Sequence, residues 1–109
     1  MDNIFIKKIE GLYKEKQFNQ IKFEIEKLKE SERKNPFILN LQGIIEIADK
    51  NFKKSKSYFE AALKEDEYYI HSLLNLARIS YQDKDFSKII YLLKKYNKKY
   101  QNNSQILLN

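Results

Sequence analysis

The stretch "NPFILNLQGIIEIADKNFKKSKSYFEAALKEDE" at residues 35–67 holds two helical patterns with a break between them. Ile38, Leu41, Ile45 and Ala48 recur at three- and four-residue steps, which places them on one face of a helix. Beyond the break, Phe52, Ser55, Phe59, Ala62 and Leu63 follow the same rule. The break falls at Asn51, whose short side-chain oxygen suits the free N–H groups of a helix's first turn. The stretch reads as helix, tight turn, helix.

The same unit recurs on both sides of it. The tripeptides "KQF" at 16–18, "KNF" at 50–52 and "KDF" at 84–86 stand 34 residues apart. Rows of 34 that begin at Asp2, Pro36 and Ile70 align Phe5, Leu39 and Leu73 in column four, and Tyr13, Ile47 and Tyr81 in column twelve. Column seventeen holds Phe18, Phe52 and Phe86; column twenty-four holds Ile25, Phe59 and Leu93. Second helices follow each phenylalanine, through Ile21, Ile25 and Leu28 in the first row and through Ile89, Ile90, Leu93 and Tyr96 in the third. Each aligned phenylalanine is expected to anchor its helix against its own first helix and the next unit. Asp85, like Asn51, is expected to cap; Gln17 is a poor cap. An ordinary antiparallel bundle accounts for the helices but not for the equal spacing.

On these residues the chain resembles the tetratricopeptide repeat, a family with a 34-residue period and a column pattern that Leu39, Gly43, Phe52, Ser55, Phe59, Ala62 and Leu63 match. Small residues at Gly43, Ser55 and Ala62 suit a close crossing of two helices. The outer rows depart from the pattern, with Ile9, Ile21 and Leu28 in the first and Ile89 and Tyr96 in the third, and no row ends on the family proline. The resemblance implies an all-α fold, a right-handed α-solenoid of antiparallel helix pairs with about six helices. A single domain over 1–109 then divides into repeats at about 2–35, 36–69 and 70–103. Residues 104–109, "SQILLN", read as the start of a fourth repeat or a capping helix, and the abrupt stop there favours a piece of a longer protein.

Composition limits the chemistry. The 109 residues carry a formal charge of +6, with lysines spread among acidic residues and only two arginines, so a solvated basic surface is expected and nucleic acid is disfavoured. The patches "FKKSK" at 52–56 and "KKYNKKY" at 94–100 are the candidates for nucleic acid, but their aromatics are wanted for packing. Cysteine is absent and His71 is the only histidine, which leaves no metal set, and both glycines are isolated, which leaves no phosphate loop. No catalytic residue, cofactor or metal is expected; the chain does not read as an enzyme. The start "MDNIFIKKIEGL" lacks the order of a signal peptide and no run approaches the roughly 18 apolar residues of a membrane span, so the expected location is cytoplasmic.

Binding is therefore the expected function. In the family, first helices line a concave groove, and the matching columns here supply Ile6, Glu10, Tyr13 and Lys14 in the first row. The second row supplies Phe37, Asn40, Ile44 and Ile47, and the third supplies His71, Leu74, Arg78 and Tyr81. A groove apolar at its centre and polar at its rim suits a peptide or an amphipathic helix of a partner protein. The family's two-carboxylate clamp for acidic chaperone tails does not match, since its positions read Ile6, Glu10, Leu41, His71 and Asn75. A second surface, through Phe23 and Tyr91, offers self-association as an alternative.

Overall fold

The computed structural model describes residues 2–100, with side chains through residue 98. Among these residues there are seven helices and no strand: α1 (Asn3–Lys14), α2 (Phe18–Glu26), α3 (Glu30–Arg33), α4 (Pro36–Ala48), α5 (Phe52–Glu65), α6 (Ile70–Gln82) and α7 (Phe86–Tyr100). The fold is all-α and repeat-like, because α2, α5 and α7 open at Phe18, Phe52 and Phe86 on the 34-residue step. Residues 104–109, expected to begin a fourth unit, lie outside the described residues.

The period has a backbone cause. Lys16, Lys50 and Lys84 sit in the left-handed region, at φ of 56, 61 and 60°. In each turn the N–H of the lysine donates three residues back, to Tyr13, Ile47 or Tyr81, at 2.9, 2.9 and 3.0 Å. The next N–H donates five residues back, from Gln17 to Leu12, Asn51 to Glu46 and Asp85 to Ser80, at 2.9, 2.8 and 2.8 Å. This paired pattern is a Schellman turn, which satisfies the last carbonyls of the first helix and reverses the chain within three residues. Glycine is the usual occupant of the left-handed position, and lysine there carries the cost of its Cβ.

Packing within the middle unit depends on one missing Cβ. A methyl group added at Gly43 would stand less than 3.0 Å from Phe59 Cε1, Cδ1 and Cζ. Phe59 is fully buried, so its ring has no room to withdraw. Beside it the Ser55 hydroxyl, also fully buried, donates to the Gly43 carbonyl at 2.8 Å and ties α5 to α4. The three small residues expected at a close crossing are all buried.

Two apolar clusters flank this crossing. Ile9, Ile21, Ile25, Ile38, Leu41 and Ile45 join α1, α2 and α4. Phe59, Leu73, Leu76, Ile79 and Leu92 join α5, α6 and α7. Ion pairs repeat across the joints: Lys22 Nζ meets Asp49 Oδ2 at 2.9 Å, and Lys56 meets Asp83 in the same relation 34 residues later. Asp49 and Asp83 cap the C-termini of α4 and α6, where an anion opposes the helix dipole. A lysine from the preceding unit supplies the compensating charge, and its bond to Asp49 raises the pKa of Lys22. Glu24 is the one carboxylate buried among the described residues; Lys8 at 3.2 Å, with Gln20 and Lys27, holds its pKa below the ordinary value.

Four expectations need correction. The first unit carries an extra helix, α3, because α2 stops at Glu26 instead of running through Leu28. There the Leu28 carbonyl accepts from Arg33 Nε and Nη2 at 3.2 and 3.1 Å, and the Lys29 N–H donates to Glu32 Oε1 at 3.0 Å, which starts a new turn. Asn51 makes no side-chain cap, whereas Asp85 Oδ1 accepts from the Lys88 N–H at 3.2 Å; the carboxylate is the stronger acceptor of the two. Phe52 and Phe86 do not anchor their helices, being 39% and 57% exposed, because the Schellman turn already fixes the chain entry. Leu93, aligned with the buried Ile25 and Phe59, is 43% exposed, and Leu92 takes the core position.

Two outcomes test this account. Gly43→Ala is expected to lower stability by about 1–3 kcal/mol in urea unfolding, and Gly43→Ala/Phe59→Leu to lose less than the sum of the two single changes, because the leucine vacates the space the methyl needs. Lys50→Gly is expected to raise stability by about 0.5–1 kcal/mol by relieving the left-handed turn, against a loss of similar size for the same change at helical Lys54.

Candidate functional site

First helices α1, α4 and α6 present one recess. A cavity of about 720 Å³ is lined by Glu10, Tyr13 and Lys14 from α1, Phe37, Asn40 and Ile44 from α4, and His71 from α6, with Ile9, Gly11, Leu41 and Tyr69 completing it. A second hollow of about 290 Å³ adjoins it, sharing Tyr13 and Ile44 and adding Ile47, Asn75, Arg78, Ile79 and Gln82. Nine of the twelve groove residues expected from the sequence thus line one of the two hollows. Ile6, Leu74 and Tyr81 line neither; Ile6 and Leu74 are half-buried, and Tyr81 is 69% exposed.

The helices aim these side chains for simple reasons. Tyr13 and Lys14 fall in the last turn of α1, just before the left-handed Lys16, so the reversal leaves them at the recess edge. The Tyr13 ring meets Phe18 edge-on at 6.1 Å, which holds it upright. Phe37 is placed by the start of α4, where Asn35 Oδ1 accepts from the Phe37 N–H at 2.8 Å and Pro36 occupies the first helical position. At the opposite rim the rings of Tyr69 and His71 meet edge-on at 5.5 Å. Burial raises the Tyr69 pKa, with Asp66 adding to it, so the phenol stays neutral and offers a donor.

Asn40 has a different role from the rim contact expected of it. It is 8% exposed, and its Oδ1 accepts from the fully buried Ser72 hydroxyl at 2.8 Å and from Asn75 Nδ2 at 3.1 Å. Asn75 Oδ1 in turn accepts from Arg78 Nη1 at 3.2 Å, which orients the guanidinium at the second hollow. This chain of bonds fastens α4 to α6 beneath the recess. Asn40 is therefore a floor residue whose oxygen is spoken for.

The polar content is sparse and mixed in sign. Glu10 and Lys14 are exposed and make no ion pair among the described residues, so their charges are open to a partner at the mouth. No group of three His, Cys, Asp or Glu side chains among the described residues could hold a metal. No helix among them is long and apolar enough to cross a membrane.

The alternative surfaces are less open than their sequence suggests. Phe23 and Tyr91 are 52% and 56% exposed, yet the Lys27 ammonium lies 4.4 Å from the Phe23 ring and Lys95 lies 5.3 Å from Tyr91. Within the two basic patches, Lys56 is paired with Asp83, and Lys95 with Glu67 at 3.8 Å. Sequence reasoning missed Tyr69 because it precedes the third row's first helix, and weighed Asn75 only as a clamp position and not as part of the groove. The signal for Tyr69 was available as an aromatic pair, "YY" at 68–69, directly before an apolar helix start. Compared with protein-family models, curated proteins and solved structures, the chain matches none.

Asn40→Ala is expected to cost about 1–3 kcal/mol, since it leaves the buried Ser72 hydroxyl and the Asn75 amide without their acceptor. Urea unfolding of Asn40→Ala beside Ser72→Ala checks it, and the double variant is expected to lose less than the sum.

Proposed function

We propose that the chain is a tetratricopeptide-like right-handed solenoid that acts as a noncatalytic protein-binding module, holding a peptide or an amphipathic helix of a partner in the recess between α1, α4 and α6. The observation that carries this reading is convergence. Residues from three separate rows of the 34-residue register, far apart in the chain, meet around one volume of about 720 Å³.

The chemistry of that volume supports it. Phe37, Ile44 and Tyr13 supply apolar and aromatic area of the kind that anchors binding energy, while Glu10, Lys14 and His71 stand at the edge. Small, open and mostly apolar, the recess suits two or three side chains of a ligand rather than a flat surface. Rim charges of both signs favour a ligand that carries both, and they set orientation more than affinity.

Selection from a random peptide library on the immobilised chain, followed by titration of the enriched peptides, tests the reading. Binding is expected to fall at least about tenfold in Tyr13→Ala and in Ile44→Asp, and to hold in Phe23→Ala. Circular dichroism melts confirm that each variant is folded. Peptides that bind Tyr13→Ala and Ile44→Asp as tightly as the unaltered chain, and lose binding in Phe23→Ala/Tyr91→Ala, would overturn it.

A further inference from the structure

Helix α7 bears an uncovered apolar stripe. Phe86, Ile90 and Leu93 are 57, 56 and 43% exposed, and steps of four and three residues put them on one helical face. The matching positions on α2 and α5 identify that face. In the column of Leu93 stand Ile25 and Phe59, 2% and 0% exposed, each in a cluster with the first helix of the next unit. In the column of Ile90 stand Lys22 and Lys56, which reach to the next unit's Asp49 and Asp83. An isoleucine cannot compensate such a carboxylate. The outer face of α7 therefore breaks the ion-pair ladder and takes the character of an apolar seam.

Charge along α7 specifies the occupant. The helix follows Asp83 and Asp85 and runs into Lys94, Lys95 and Lys98. Lys94 and Lys98 are exposed and make no ion pair among the described residues; Lys94 stands one turn beyond Ile90, on the flank of the stripe. A second α7 laid antiparallel and centred on Ile90 puts stripe on stripe. It brings Lys94 and Lys98 beside the acidic start of the other helix, with the two dipoles opposed. A head-to-tail copy is not complementary, because Glu15 holds the column of Asp49 and Asp83 and would face Ile90. We propose that Phe86, Ile90 and Leu93 form an isologous homodimer interface, rimmed by pairing of Lys94 and Lys98 with Asp85 of the second copy, Asp83 keeping its partner Lys56. None of the three apolar residues lines the recess, so the dimer leaves both grooves open.

Sedimentation equilibrium of the full chain at loadings from about 1 µM to about 1 mM tests the proposal. The mass is expected to rise from 13.2 kDa toward twice that value. Ile90→Lys, which restores the residue type of the other two rows, is expected to lower the association constant at least about tenfold, with an unchanged melting temperature at loadings low enough that both chains are monomers. Lys94→Glu/Lys98→Glu and added salt are expected to weaken it as well. A mass of one chain throughout overturns the proposal, as does Ile90→Lys that associates like the unaltered chain. So does association lost in Phe23→Ala but kept in Ile90→Lys, which puts the contact on the other face. A monomer that Ile90→Lys destabilises also overturns it, because the stripe is then covered by residues 101–109 of the same chain.

Discussion

The Gly43 carbonyl and the space above its Cα are where the two halves of this protein are joined. On one side α4 sends Ile38, Leu41 and Ile45 into the cluster shared with α1 and α2; on the other α5 sends Phe59 into the cluster shared with α6 and α7. These clusters are drawn together where α4 and α5 cross closely enough for Phe59 to lie on a backbone without a Cβ and for Ser55 to reach the Gly43 oxygen. Hydrophobic burial supplies most of the driving force, yet it does not dictate which helices approach most nearly. A glycine and a serine decide that. The first unit, with Ile9 and Ile21 at the equivalent positions, fills the space instead.

The period and the helix starts were legible in the sequence because they rest on patterns that a linear reading sees: apolar spacing, and a lysine-polar-phenylalanine repeat. The cause of that repeat was less legible. Lysine is not a residue that announces a left-handed turn, so the phenylalanine drew the structural weight that belongs to the backbone two residues before it. The α2 to α3 break was hidden for a related reason, since "KLKESERK" at 27–34 is charged and helix-favouring throughout and its interruption depends on where Arg33 and Glu32 reach. In α7, apolar residues at both 89–90 and 92–93 fill two adjacent stripes, and spacing alone does not say which of them faces the core.

The recess shows the same division. Its apolar wall follows from helix periodicity once the order of the helices is known, and Tyr13, Phe37 and Ile44 meet as their columns suggest. Its polar residues follow from three-dimensional bonding that no spacing encodes. Asn40 was indistinguishable in sequence from a rim contact, and only the two donors that converge on its oxygen make it structural. Tyr81 shares a column with Tyr13 and Ile47 but lies in the third unit, outside both hollows.

That buried asparagine has a mechanical consequence. Between α4 and α6 the concave wall is riveted by directional bonds of 2.8 and 3.1 Å, which tolerate little change of angle. Between α1 and α4 no such bond runs among the described residues, and Ile9 shares an apolar cluster with Ile38, Leu41 and Ile45. The larger hollow spans α1 and α4, and the Asn40 bonds close its floor on the α6 side. The recess therefore has one side fixed by hydrogen bonds of set direction and another formed by apolar packing alone.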